Sequence, residues 1–315
     1  MTEASERALA LSTIDISIVV PCYDRLNLLE RTLKACLAQQ VDAGISWEIV
    51  VADNHPGRLA APTVSAFDSE IPLRHVAAGD RNIAEARNLG VKAAKGAFIA
   101  FVDDDEAPEP DWLMAHYRCL ARTGADASFG AIYPIFEGGS PPDWDPQGRY
   151  YSTDFGLPDG TTIEPLKWFP PRPRGVSTAN VMLRRSSCFP EEKPFDEDFG
   201  RTGGEDTLLL LRLAQAGKRF VWCAGAHVIE FNEIGRLSFR YMCRRVQRSS
   251  RHSAEVRMAI SAHKMPTRMS IYFIALSQLS VYGILWLLRR KPAYVLQICK
   301  ALGKLGFARL EFIPE

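Results

Sequence analysis

Asp103, Asp104 and Asp105, with Glu106 behind them, follow directly on the apolar residues Phe98, Ile99, Ala100, Phe101 and Val102. Five apolar residues rich in strand formers read as a buried strand. Adjacent carboxylates at its end repel one another and cannot be buried without a cation against them. Hard oxygen ligands of this kind suit Mn²⁺ or Mg²⁺, ions commonly held by one or two carboxylates together with the phosphates of a substrate. A solvated acidic turn is the alternative for this segment taken alone. A second acidic pair, Glu205 and Asp206, stands behind Gly203 and Gly204 and opens a helical pattern with Leu209, Leu210 and Leu213 on one stripe. Carboxylates at a helix N-terminus are favoured by its dipole, so this pair reads either as caps or as half of a site shared with 103–105.

The elements that would position these groups alternate. Residues 16–20 read as a strand followed by the loop 21–25, and 26–40 carry apolar residues at the spacing of an amphipathic helix. A second strand over 47–52 ends in Asp53-Asn54, a third covers 73–76, a helix covers 83–95, and the fourth strand is 98–102. Strands and helices alternating at this interval predict a parallel α/β sheet. Ligands of such sheets bind beyond the carboxyl ends of the strands, where loops 21–25, 53–57, 79–82 and 103–106 converge. No G-x-G-x-x-G follows the first strand, which disfavours a dinucleotide-binding domain. Residues 134–175 are rich in Pro and Gly and carry Trp144, Tyr150, Tyr151, Trp168 and Phe169, aromatics suited equally to stacking on sugar rings and to core packing.

The composition, 47% hydrophobic and 24% charged, is that of a globular protein. Seven cysteines without a C-x-x-C pair, and no signal-peptide pattern, predict reduced, packed thiols in the cytosol; Cys22 has no base beside it and reads as a packed thiol. A net charge of +1 conceals an asymmetry: residues 236–315 hold 15 Lys and Arg against three Asp and Glu. Arg240, Arg244, Arg248 and Arg251 recur at helical spacing, with Arg236 and Arg245 nearby, and 271–288 is 18 residues without a charge, closed by Arg289, Arg290 and Lys291. Nucleic acid explains the arginines but not the apolar run; an anionic membrane surface explains both. An interfacial helix pair is expected there, ahead of a single span.

Ile18-Val19-Val20-Pro21-x-Tyr23, Val51-Ala52-Asp53-Asn54, Ala86-Arg87-Asn88-x-Gly90, Phe101-Val102-Asp103-Asp104-Asp105 and Gly204-Glu205-Asp206, in this order, resemble family 2 glycosyltransferases of the GT-A fold over roughly residues 14–235. More narrowly they resemble the bacterial exopolysaccharide glucosyltransferases of the succinoglycan type. The resemblance implies a Rossmann-like, mostly parallel central sheet flanked by helices, with a C-terminal helical membrane-associating extension. It implies a nucleotide-sugar half over 14–110 and an acceptor half over 111–235; the residues outside that span read as a disordered lead-in over 1–13 and, from the basic and apolar pattern above, membrane-associated helices over 236–315. It further implies an inverting, Mn²⁺- or Mg²⁺-dependent transfer of a hexose, glucose in β-linkage, from a UDP-sugar to a polyprenyl-diphosphate-linked oligosaccharide at the cytoplasmic membrane face.

By the same resemblance Pro21, Tyr23 and Asp53 would meet the uridine, with Asp80 and Arg87 near the ribose and diphosphate. Asp105 would bind the metal, Asp103 would touch the ribose or a metal-bound water, and Asn180 would meet the donor sugar. Asp206 would be the general base, with Glu205 the alternative. Apart from the resemblance, the arginine stripe with Arg244 and Arg248 reads either as holding the acceptor's lipid diphosphate, which bidentate guanidinium groups suit, or as a solvated face. The family often has a metal-binding histidine where this chain has Ile229; His227, two residues earlier on the same strand face, is the candidate replacement. Two other classes remain open: a sugar-phosphate nucleotidyltransferase, which lacks support because 21–24 is not a Gly-rich loop, and a non-catalytic assembly scaffold.

Overall fold

The computed structural model describes residues 14–79, 81–166 and 176–306. The lead-in, Asp80, Trp168, Phe169 and Arg309 lie outside them.

The first strands form because their sequences can be covered on both faces. β1 (Ile16–Cys22) and β2 (Trp47–Asp53) are buried at every position, as expected of central parallel strands. They pair in register from Ile16↔Trp47 to Cys22↔Asp53, so the loops that follow them leave the sheet side by side. β3 (Leu73–Ala77) flanks β2, and β4 (Phe98–Phe101) flanks β1 on its other side, all parallel. Between them run α1 (Leu26–Leu37), the short α2 (Ala60–Ser65) and α3 (Ile83–Ala93). Asn82 caps α3 by accepting from the amides of Ala84 (3.1 Å) and Glu85 (3.2 Å).

Beyond β4 the sheet becomes mixed. β5 (Glu106–Pro108), α4 (Trp112–Thr123), β6 (Ala127–Phe136), β7 (Thr162–Ile163), β8 (Val181–Arg184), α5 (Arg185–Cys188), α6 (Glu205–Gln215) and β9 (Phe220–Asn232) follow in the chain. The spatial order is β3-β2-β1-β4-β8-β6-β9-β5, with β7 also on β9. β8 is antiparallel to both β4 and β6, β9 is parallel to β6, and β5 and β7 are antiparallel to β9. Residues on both sides of position 110 therefore build one sheet. Its two faces are covered by separate apolar clusters, one around Leu29, Ile49 and Trp112, the other around Phe101, Phe195 and Trp222.

Asn180 ties this sheet to α4. Its Oδ1 accepts from Trp112 Nε1 (2.7 Å) and lies 2.9 Å from His116 Nε2, while its Nδ2 donates to the carbonyls of Ala131 (2.7 Å) and Ala226 (3.0 Å). The expectation that Asn180 meets a donor sugar is corrected here. The side chain has no exposed surface and all its hydrogen-bonding groups are engaged inside the protein. Its positive φ of 56° is one that Asn tolerates, and this backbone turns the amide inward.

The chain then leaves the sheet for α7 (Ile234–Leu237), α8 (Phe239–Ile260), α9 (Lys264–Arg289) and α10 (Pro292–Lys304). Arg290 adopts φ 50° and ends α9, and Pro292 opens α10 at a position where a missing N–H costs nothing. α10 packs on α8 so closely that a Cβ on Gly303 would lie 2.1 Å from the carbonyl oxygen of Gln247. Trp144 and Tyr151 are core, packed with Phe136, Met242 and Leu296. All seven cysteines are buried and free, as the sequence implies.

His116 yields a test of this packing. Burial lowers its pKa from the usual 6.5 to about 4, and Ser128 Oγ lies 2.8 Å from its Nδ1. The unfolded chain therefore binds the proton first, so His116 contributes its stability above pH 6.5 and loses it as pH falls toward 4. The loss amounts to about 3 kcal/mol. Denaturant titrations at pH 7.5, 6 and 5 should show this slope in the wild type and a shallower one in His116→Gln. Equal slopes would contradict it.

Candidate active site

The carboxylate run leaves β4 at the carboxyl edge of the parallel strands and meets arginines from three separate segments. Arg25, in the loop after β1, pairs with Asp104 and Asp105. Arg236, on α7, reaches the same Asp105 oxygen at 2.8 Å. Arg87, buried on α3, pairs with Glu205 and lies 3.3 Å from Asp103. Removing a carboxylate from water costs several kcal/mol, and these three guanidinium groups offset it. The Asp103 side chain keeps 34% of its surface exposed, whereas Asp104 and Asp105 are buried. Glu106 turns back to accept from the Asp103 amide at 2.7 Å.

Burial and mutual repulsion raise the proton affinity of this cluster. Burial pushes Asp104 up to about 7 against the opposing charge of Arg25, with Asp105 and Asp103 adding to the rise. Glu106 stands well above the usual carboxylate range because it is buried beside Asp103 and Asp105. Glu230, opposite Glu106 in the β5–β9 ladder, is raised by burial and then by Asp105, and Arg245 at 3.9 Å opposes it. These are hard oxygen donors at one strand end, and Glu205 Oε2 is buried without a hydrogen-bond partner. The donor set fits a divalent Mg²⁺ or Mn²⁺ ion, with Asp103 and Asp105 the residues that would hold it.

Glu205 and Asp206 sit in different environments although adjacent. Gly203 and Gly204 both take left-handed φ values, 99° and 101°, and α8 passes across this turn. A Cβ on Gly203 would come 2.8 Å from the His252 ring, so the double glycine is what lets α8 close over the α6 N-terminus. Glu205 points inward to Arg87 and is committed to that ion pair. Asp206 is half-buried; its Oδ1 accepts from the Thr207 amide at 2.6 Å, and its Oδ2 lies 3.4 Å from the Thr178 amide. Of the two, Asp206 is the carboxylate more open to solvent.

At the other end of the parallel edge, Asp53 has no exposed surface. It accepts from the amides of His55 and Ala60, both at 2.9 Å, and its Oδ2 lies 3.1 Å from His75 Nε2. The expectation that Asp53 meets the uridine is therefore corrected: both its oxygens are engaged inside the protein, and it shapes the 53–60 loop. Tyr23 lies beside His55, ring centroids 5.0 Å apart, and the Arg81 guanidinium carbon lies 4.6 Å from the centroid of the Tyr23 ring. Pro21 is buried in β1 against Ala52. Burial, then Asp53 and Asp104, push the Cys22 thiol far up, which removes it as a nucleophile.

Two further expectations are corrected. His227 is not brought to Asp103 and Asp105: its Nδ1 pairs with Glu109 Oε2 (3.2 Å), its Nε2 lies 2.7 Å from the Ala224 carbonyl, and its ring meets Tyr133 edge-on. Arg244 and Arg248 are exposed on the outer side of α8, and the arginines that turn inward are Arg236, toward Asp105, and Arg245, toward Glu230. Sequence reasoning missed Arg25, Arg236 and Glu230 as members of the site. The requirement for cations against three carboxylates was the available signal, and Arg25 stands in a loop already expected to converge there.

Comparison with known proteins places the sequence and the fold in a family. The family model for glycosyl transferase family 2 matches residues 17–188. The succinoglycan biosynthesis protein ExoM of Rhizobium meliloti is 30% identical over 253 residues, 80% of this chain and 77% of that protein. The validoxylamine A glucosyltransferase of Streptomyces hygroscopicus subsp. jinggangensis is 27% identical over 64% of this chain and 52% of that protein. In fold, the crystal structure of S. aureus TarS 1-349 in complex with UDP-GlcNAc superimposes with a TM-score of 0.54 at 14% identity, covering 94% of this chain and 93% of that one. Motif order, sheet topology and a match over more than half its length agree, and the chain belongs to glycosyl transferase family 2.

Proposed function

We propose that the chain is an inverting, divalent-metal-dependent hexosyltransferase. It moves a hexose, glucose in β-linkage, from a UDP-sugar to a polyprenyl-diphosphate-linked oligosaccharide at the cytoplasmic face of the membrane. The observation that carries this reading is the Asp103–Asp105 cluster joined through Arg87 to the Glu205–Asp206 helix terminus. The UDP-GlcNAc complex of TarS and the likeness to ExoM support the donor and acceptor classes. Within this reading 14–110 serves the donor, 111–235 the acceptor and 236–315 the membrane.

Asp206 accepts the proton of the acceptor hydroxyl as its oxygen attacks the anomeric carbon. The bond from that carbon to the β-phosphate oxygen breaks on the opposite face, and its electron pair leaves with UDP. The configuration inverts because attack and departure take opposite faces. Glu205 does not titrate in this step; it keeps Arg87 in place, and Arg87 stays beside Asp103 to meet the diphosphate. Tyr23 and Pro21 border the base, and Asp53 fixes the loop on which it rests. Asp103 and Asp105 would hold a Mg²⁺ or Mn²⁺ ion, which would supply positive charge against the charge developing on the leaving diphosphate.

Three outcomes follow. In thermal-shift scans with UDP, GDP, dTDP and CMP, UDP with Mn²⁺ should stabilise the protein, by about 2.7 kcal/mol at a hundredfold excess over Kd, and EDTA should abolish the shift. A shift with another nucleotide alone would discard the UDP-sugar. Asp206→Asn should lower the transfer rate by about 10²-fold or more while keeping the UDP shift; transfer unchanged would remove Asp206 as the base. Glu205→Gln should cost about 3 kcal/mol or more of stability, since it leaves Arg87 buried beside a neutral amide, and denaturant titration reads this directly.

A further inference from the structure

The C-terminal helices and the 145–153 loop frame a partly open cleft of about 1010 Å³ separate from the loops at the strand ends. Its wall carries Arg149, Arg245, Arg257, Lys300 and Lys304. Against these five cations stands one carboxylate among the described lining residues, Asp145, which is buried and accepts from the Tyr150 amide at 2.9 Å. The remainder of the wall is largely small polar and apolar side chains. A roomy, strongly cationic chamber of this kind suits an anion with several oxygens.

Helix α9 connects the chamber to an apolar surface. Ile271, Ile274 and Gln278 line the cavity at helical spacing. The opposite side of the same helix exposes Met269, Phe273, Leu276, Ile284, Leu287 and Leu288, with Phe273 at 73% and Leu288 at 74%. Twenty-six residues at 1.5 Å rise give roughly 39 Å, enough to lie along or cross a bilayer. Of the described helices, only α9 combines that length with enough apolar character to cross a membrane. A cationic chamber behind a lipid-compatible helix face selects a ligand with an anionic head and a hydrocarbon tail.

Arg245 links the chamber to the acid cluster. It lines the cavity, its Nη2 lies 3.9 Å from Glu230, and its Nη1 is buried with no hydrogen-bond partner. Glu230 in turn neighbours Asp105 in the β5–β9 region. An anion seated against Arg245 is thus one side chain from the carboxylates at the strand end.

We propose that this chamber binds the diphosphate headgroup of the lipid that carries the acceptor glycan, with the hydrocarbon chain following α9 into the membrane. The assignment rests on the transferase reading above and supplies its acceptor site. It moves the diphosphate from Arg244 and Arg248, which face outward, to Arg257 and Lys300 in the wall, with Arg245 at the inner end.

The test is flotation of the full chain with phosphatidylcholine vesicles containing polyprenyl diphosphate, phosphatidylglycerol at equal charge, or neither. Binding to the diphosphate vesicles should be at least tenfold tighter than to the other two, and Arg257→Gln/Lys300→Gln should lose that preference while keeping the UDP thermal shift. Ile274→Trp, which fills the chamber without changing charge, should lose it as well. Equal binding to phosphatidylglycerol, or a preference that survives both variants, would overturn the assignment. Inorganic pyrophosphate that displaces the protein from diphosphate vesicles as effectively as the lipid itself would overturn the lipid part. A UDP shift without diphosphate preference defeats this proposal alone, whereas diphosphate preference without any nucleotide shift defeats the transferase reading and leaves the chamber standing.

Discussion

Burying several carboxylates at one strand end is the constraint on which this molecule is organised. Asp104, Asp105, Glu106 and Glu205 are all nearly inaccessible to water; Asp104, Asp105 and Glu205 would return to solvent without the positive charge beside them, and Glu106 is held by the Asp103 amide. The compensation is drawn from distant parts of the chain: Arg25 after β1, Arg87 on α3 and Arg236 on α7. Those ion pairs fasten the first loop, the third helix and the start of the C-terminal extension to the end of β4. The fold and the site are held by the same contacts, so the site is rigid where chemistry requires fixed charge.

The same arrangement divides labour between neighbours. Glu205 is spent on Arg87, and Asp206, one residue on, remains half-exposed. The division depends on the double-glycine turn and on α8 passing over it, so the C-terminal helices contribute to the geometry of the α6 N-terminus. Arg236 and Arg245 make this coupling explicit, since both belong to the extension and both address acidic groups of the sheet.

Much of this was legible from residues alone. Strands 16–20, 47–52, 73–76 and 98–102 were readable as short runs of strand-forming residues alternating with helical patterns, and all four form. The acid cluster and the Gly-Gly-Glu-Asp turn declared themselves by charge and backbone freedom. Asn180 did not, because nothing local tells whether an amide faces a ligand or the interior; Trp112, His116 and two carbonyls decide it from far along the chain. His227 lies on the expected strand but is captured by Glu109. The helical phase of α8 could have been read more closely: Met242 and Val246 mark its inner face, which places Arg245 inward and Arg244 and Arg248 outward.

The central claim is that the carboxylates at the end of β4 form a cation site completed by a nucleoside diphosphate, with Arg25 and Arg236 on Asp105 until then. The most direct measurement is an electron-paramagnetic-resonance titration of Mn²⁺ into the full chain, with and without UDP. The account predicts weak Mn²⁺ binding alone and at least tenfold tighter binding with UDP, with that gain absent in Asp105→Asn. Mn²⁺ affinity that UDP does not change, or a gain that persists in Asp105→Asn, would contradict it.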